Sequence, residues 1–246
     1  DFSVLLDQYA DHIAAAITAI RETQREKIIQ AAQMVKAVLV RDGLIYVFGC
    51  GHSHILAEET FYRAGGLANV APVFYEPLML HQGAAESSRL EKQPGLAREV
   101  LKNCPATKND IFFCLSTSGV NAVPVEAAEI IHSRGIPTVA ICSSAYFDQN
   151  ARSASGKHLY EVSDLWIDNK APHGDACLLP QGAAIKTTPL STITGAFILN
   201  SILAEATQLA LAEGVDVPIY LSGNIPGGAE RNKALIDRCA AAGIAA

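Results

Sequence analysis

The sequence predicts an α/β fold, a three-layer αβα sandwich around a five-stranded parallel sheet, preceded by an N-terminal helical hairpin. Three observations predict it. Short runs that are apolar throughout, rather than alternating, recur along the chain, and strands of that kind are buried on both faces. Stretches with helical periodicity separate them, which is the order that lays helices over a parallel sheet. Half of the 246 residues are apolar, enough to fill the space between the layers.

From Phe2 to Val40 the apolar residues recur at intervals of three and four (Val4, Leu5, Tyr9, Ile13, Ile17, Ile20, then Ile28, Ile29, Ala32, Val35, Leu39), with a charged break at 21–27. Two amphipathic helices are expected, folding as a hairpin over residues 1–42. Their apolar stripes need a partner, either the domain at 43–246 or a second subunit. In that domain the strands are expected at 44–48, 69–74, 111–115, 138–142 and 165–167, with helices near 53–64, 95–103, 122–134 and 188–213. Three stretches, 76–94, 143–160 and 169–187, fit no regular element. Each follows a predicted strand, so all three should crowd the carboxyl rim of the sheet, where such folds bind ligands. The tail, IPGGAERNKALIDR, reads as a glycine turn and a short helix.

The formal charge of -6 and pI near 5.6 leave no basic footprint for nucleic acid or an anionic membrane. No uninterrupted apolar run of about 18 residues is present, and the first residues lack the basic-then-apolar design of a secretory signal, so a cytoplasmic chain is expected. The six cysteines show no CxxC spacing, and Cys114 and Cys142 fall inside strand-like runs. Buried free thiols of a reducing compartment are expected.

Two junctions carry chemistry. In IYVFGCGHSHILAEE a strand breaks at Gly49-Cys50-Gly51 and restarts as a helix after His52-Ser53-His54. In DIFFCLSTSGVNAVPVEAAEIIHSRG a strand runs into Ser116-Thr117-Ser118-Gly119, and a helix opens at Asn121. A glycine turn at a helix mouth converges backbone N–H groups where the helix dipole is positive. Hydroxyls beside it hydrogen-bond several oxygens of one anion without needing a cation. A phosphate held by Gly51, Ser53, Ser116, Thr117, Ser118, Gly119 and Asn121 is the functional reading; helix capping by the serines is the structural alternative. Neither turn is a dinucleotide fingerprint, because the third glycine and the acidic end of the second strand are missing, nor a Walker loop. No cofactor is expected. No metal is expected either, since His-x-His at a turn is poor coordination geometry.

Together the two turns resemble the sugar isomerase (SIS) domain, the phosphosugar-binding fold of phosphoheptose isomerase, N-acetylmuramic acid 6-phosphate etherase and the isomerase half of glucosamine-6-phosphate synthase. GHSHILAEETFYRAGG, SGKHLYEVSDLWIDNKAPHGDA and the Gly-Gly-x-x-x-Asn tail are similar to a subgroup of SIS proteins described as sugar isomerases. The resemblance implies that Ser53, Ser116, Ser118 and Asn121 bind sugar and phosphate, that the ligand is a phosphorylated sugar or amino sugar, and that the protein is a homodimer or homotetramer. Two departures stand out. The glutamate ten residues after the first-turn serine is here Arg63, and TTPLSTITGAF has no histidine where the isomerase carries one.

Glu59, six residues after Ser53 and four before Arg63, sits on the same predicted helix face and is the candidate base, with Glu58 about 100° away. An ordinary surface pair between Glu59 and Arg63 is the alternative. His52 and His54 are the candidate acids, because imidazole can shuttle protons between C1 and C2 while a carboxylate takes the C2 proton. His81, Glu86, Lys157, His173 and Asp175 are further rim candidates. These parts suit an aldose–ketose isomerase of sugar phosphates. A lyase or etherase shares the first step, and a non-catalytic phosphosugar sensor uses the same pocket.

Overall fold

The computed structural model describes residues 4–244; Phe2, where the helical periodicity starts, lies outside them. Five parallel strands form the sheet in the order β2-β1-β3-β4-β5: β1 (Ile45–Gly49), β2 (Val70–Val73), β3 (Ile111–Leu115), β4 (Thr138–Cys142) and β5 (Leu165–Asp168). Every residue of β1, β3 and β4 is buried, which is why these runs read as continuous rather than alternating. Register is set at Ile45 opposite Val70 and Ile111, Phe112 opposite Thr138, and Val139 opposite Leu165.

Successive strand residues face opposite layers. Ile45, Val47, Ile111, Phe113, Val139 and Ile141 pack with α2 (Arg25–Val40), α3 (Ile55–Thr60) and α7 (Ser191–Ala212). Tyr46, Phe48, Phe112, Cys114, Ala140 and Cys142 face α5 (Ala97–Val100), α6 (Ala122–Ser133) and α8 (Gly228–Ala241). Ile198, Leu199 and Ile202 of α7 are essentially inaccessible, each such burial stabilising by about 1.5–3 kcal/mol. The chain leaves β1 through α3 on one face and β3 through α6 on the other. The strand order therefore reverses between β1 and β3, and the divergent connections open a crevice beyond their carboxyl ends.

The two N-terminal helices are present. α1 (Leu5–Thr23) ends at Gln24, which starts α2 and whose Oε1 accepts from the Asp168 amide at 3.1 Å, tying the joint to the end of β5. α2 lies on α7 in the main core. Tyr9 and Ile13 of α1 pack against Cys177, Leu178 and Leu190.

Four stretches differ from the sequence-based expectation. Residues 76–94 are largely helical: a 3-10 turn, Glu76–Leu78, leads into α4 (Leu80–Leu90), where Gly83 (φ 149) kinks the helix instead of ending it. Helix-forming Ala84, Ala85 and Glu86 and the buried Ser87 hydroxyl, which donates to Leu78 O at 2.7 Å, outweigh the glycine. The helix expected at 53–64 begins as a 3-10 turn, Gly51–His54, and ends at Thr60, because Phe61 is extended and Tyr62 has φ 44. The helix near 95–103 is a single turn. Within 169–187, β6 (Ala176–Leu178) pairs antiparallel with β7 (Thr187–Pro189).

Among the described residues α7 alone has the length and mean hydropathy of a membrane-crossing helix, yet one of its faces is core and α2 covers it. The tail helix α8 donates Cys239 Sγ to Ala68 O at 3.0 Å and pairs Arg238 with Asp42. Asp42 and Ala68 precede β1 and β2, so α8 closes the amino end of the sheet, opposite the crevice.

Candidate functional site

At the carboxyl end of β1 the backbone of Ser53 lies so close to Gly49 that a Cβ there would sit 2.6 Å from the Ser53 carbonyl oxygen. Gly51 takes φ 56, the left-handed region open to glycine. His54 is turned inward: its Nδ1 lies 2.5 Å from Gly51 O, its Nε2 3.6 Å from Glu58 Oε2, and its ring meets Phe74 edge-on at 6.5 Å. It is a strut for the turn, and His52 and Ser53 are left to line the cleft.

The second turn leaves β3 next door. Ser116 Oγ accepts from the Gly119 amide at 3.1 Å, Gly119 has φ 64, and the Gly119 and Thr117 carbonyls accept from Leu159 and Ser143 at 2.8 and 2.9 Å. These bonds fix the conformation of the loop. Both turns face a cleft of about 390 Å³ with Cys50, Gly51, His52 and Ser53 on one wall and Ser116, Thr117 and Ser118 on the next. Among the described residues the hydroxyls of Ser53 and Thr117 have no protein partner.

Ser191 and Thr192, the first residues of α7, form a third wall with Asp175. Asp175 spends both oxygens there: Oδ1 accepts from the Leu190 and Ser191 amides at 3.1 and 2.8 Å, and Oδ2 from the Ser191 hydroxyl at 2.5 Å. Deeper, Asp168 binds Ser144 Oγ at 2.6 Å, the Lys170 amide at 2.9 Å and the Lys170 ammonium at 3.1 Å. Burial opposes its ionisation, but the Ser144 and Lys170 contacts prevail and hold its carboxyl below the ordinary value.

The fourth wall is α4 and the residue that ends it, with Leu80, Ser87, Ser88 and the C-cap Glu91. The Glu91 carbonyl accepts from the Val123 amide at 3.0 Å, and its Oε1 accepts from Asn121 Nδ2 at 2.7 Å. Asn121 Oδ1 in turn accepts from Arg152 Nη1 at 2.7 Å. Burial pushes the Glu91 carboxyl above its ordinary value, against the smaller opposing pulls of the Asn121 donor and the Lys92 and Arg152 charges. Asn121, which the sequence places at the helix mouth, makes no side-chain cap of α6; it bridges Arg152 to Glu91.

Glu59 lies elsewhere. It pairs with Arg63, accepts from Asn200 Nδ2 at 3.4 Å, and lines a separate cavity of about 460 Å³ between α3 and α7 with Thr60, Arg63 and Thr207. Arg63 comes back to Glu59 from beyond the helix end rather than along a shared helix face. Among the rim candidates, Glu86 pairs with Arg89 at 2.6 Å on the exposed side of α4, and His173 stacks on Tyr146 at 4.9 Å and bonds Gln149 at 2.7 Å. His81 and Lys157 are exposed and absent from the cleft wall. Among the described residues no group of three or more His, Cys, Asp or Glu is arranged to hold a metal ion. All six cysteines are free; burial pushes the Cys142 thiol up to about 12.

The SIS domain pattern matches residues 8–143, from α1 through the second turn to the end of β4. The chain belongs to the SIS domain family. This SIS protein is 43% identical over 235 residues to a UPF0309 protein of Geobacillus sp. (strain WCH70), covering 95% of both chains. It is 39% identical over 234 residues to a UPF0309 protein of Brucella anthropi, covering 95% of this chain and 96% of the other. Its backbone is similar to phosphoheptose isomerases from Francisella tularensis (TM-score 0.53, 16% identity, 84% of this chain and 100% of the other) and Neisseria gonorrhoeae (TM-score 0.50, 19% identity, 84% and 98%). At these identities the likeness is one of fold, and it agrees with the five-stranded parallel sheet and its covering helices.

Glu91, Ser88, Tyr146, Ser191 and Thr192 line the SIS cleft without having been singled out in the sequence. Glu91 sits in a segment that reads as a rim loop, and only the register of α4 decides that Glu91 faces the cleft while Glu86 faces solvent. The sequence signal is Asn121, a polar amide at a helix opening; that it bridges to Glu91 instead of capping α6 is decided by the tertiary structure.

Proposed function

We propose that this SIS protein is an enzyme acting on a phosphorylated sugar or amino sugar, an aldose–ketose isomerase working through loss of the C2 proton. One observation carries the reading: two strand-to-helix turns, leaving the adjacent strands β1 and β3, present the unpartnered hydroxyls of Ser53 and Thr117 to one cleft. Hydroxyls and glycine-turn amides suit a dianionic phosphate in an acidic protein. The phosphate would lie against Ser53, Ser116, Thr117 and Ser118, with Gly51 and Gly119 shaping the turns. His52, on the cleft wall, is the candidate to exchange protons with the sugar oxygens. Fold-level analogy to the two phosphoheptose isomerases agrees with this reading without carrying it.

Six free thiols fit a reducing cytoplasm. A homo-oligomer fits the apolar surface left at Val4, Leu5 and Leu6 of the N-terminal region and at Leu179 and Ile185 between β6 and β7, the hairpin on which α1 packs. The reading is tested by a thermal-shift screen against sugar phosphates and their unphosphorylated parents, with NMR of every hit in D₂O. Phosphate-dependent stabilisation with solvent deuterium at C2 is the expected result. Stabilisation without exchange would make the protein a sensor, and exchange with loss of the C3 substituent would make it a lyase.

A further inference from the structure

We infer that Glu91 is the residue that takes and returns the carbon-bound proton in the serine cleft, with Asn121 and Arg152 as its positioning residues. The inference rests on the phosphosugar reading of that cleft. Four carboxylates come into question, Asp168, Asp175, Glu59 and Glu91, and their surroundings separate them; Asp168 has both oxygens engaged, by the Ser144 hydroxyl and the Lys170 amide. Asp175 has both oxygens engaged at the start of α7. Glu59 opens into a different cavity and is paired with Arg63. Glu91 lines the same cleft as Ser53 and Thr117, and only its Oε1 is engaged, by Asn121 at 2.7 Å.

The other oxygen, Oε2, is directed to the glycine turn: it lies 4.0 Å from where a Cβ on Gly51 would stand, and Gly51 has none. The main-chain bond from Val123 and the side-chain bond from Asn121 tie Glu91 to the loop that carries Ser116, Thr117 and Ser118. Base and anion site are thus fixed relative to each other by two short links, as near-attack geometry requires. A carboxyl whose affinity for protons is raised by burial is also the better base near neutrality.

In the step itself the C2–H bond breaks and its proton goes to Glu91 Oε2. The electron pair becomes the C1–C2 double bond, and the C1 carbonyl oxygen takes a proton from His52. The enediol then loses the O2 proton to the same imidazole while Glu91 delivers its proton to C1. Protons and electrons balance without a further reactant.

The test uses the full chain with hexose 6-phosphates and pentose 5-phosphates in D₂O, reading C2 exchange by NMR and binding by thermal shift. Glu91→Gln should retain the phosphate-dependent shift and lose exchange by on the order of 10²–10⁴-fold, and Glu91→Asp should keep part of the exchange. Asn121→Ala, which removes a donor that favours the ionised form, should move the acid limb of the exchange rate to higher pH. Glu91→Gln that exchanges at the wild-type rate overturns the assignment while leaving the phosphosugar reading intact. So does wild-type protein that binds without exchange. Wild-type protein that shows no phosphate-dependent shift removes that reading and this inference together. If Glu91→Gln does not fold, the pH profile of Asn121→Ala decides, an unmoved acid limb overturning the assignment.

Discussion

Asn121 lies between Glu91 and Arg152, donating to the carboxylate at 2.7 Å and accepting from the guanidinium at 2.7 Å. A residue placed to cap a helix instead joins three separate segments, the end of α4, the second turn and the 143–160 loop. One consequence appears in stability against pH. Burial raises the Glu91 carboxyl in the folded state, so the folded protein holds that proton more tightly than the unfolded chain. The stabilisation is full below the unfolded carboxylate value and is lost as pH rises through the raised folded value. Urea unfolding of wild type and Glu91→Gln across that window should show the wild type losing stability relative to the variant as pH increases. Parallel curves would show that Glu91 is not perturbed.

Removing the Ser53 or the Thr117 hydroxyl should weaken phosphosugar binding. A hydrogen bond to a charged group contributes about 1.5–3 kcal/mol, so Ser53→Ala and Thr117→Ala should each lower affinity by roughly tenfold or more. Titration calorimetry with a phosphosugar identified by the screen measures this. Unchanged affinity in both variants would move the anion away from the two turns.

Gly49→Ala tests the first turn through its backbone. The new Cβ would stand 2.6 Å from the Ser53 carbonyl oxygen and 2.8 Å from Ser53 Cβ, contacts that force the turn outward. Binding should fall more steeply than in Ser53→Ala, since the amides move with the hydroxyl. A thermal shift equal to that of wild type would show that the turn tolerates displacement.

Asp175→Ala should destabilise the fold by about 0.5–2 kcal/mol, the range for losing a side-chain cap. Two amides and a hydroxyl at the start of α7 lose their acceptor. The midpoint of urea unfolding gives the number, and a slope m unchanged from wild type would confirm that only stability has moved.

The sheet was legible because its strands are buried on both faces, so the sequence 111–115 and 138–142 marks β3 and β4 to the residue. The two turns were legible for a related reason: a glycine at a strand end marks where the backbone must break, and Gly51 and Gly119 both take positive φ. Glu91 was not. Its segment contains Gly83, which punctuates a sequence but only kinks α4, and a helix of unknown register does not tell Glu86 from Glu91.

Glu59 shows the converse. Its spacing from Ser53 and Arg63 is a property of the chain and the ion pair forms, but the helix stops at Thr60 and the residue opens onto the cavity between α3 and α7. Local sequence therefore determined the strands and the two glycine turns, since hydrophobic periodicity and glycine stereochemistry act within a few residues, and its motifs carried the resemblance to the SIS family. Which carboxylate faces the serine turns was decided only by tertiary structure. That choice depends on how Glu91 at the end of α4 is tied to the start of α6 and how the loop carrying Arg152 folds back, contacts between residues some 30 apart whose geometry no local pattern contains.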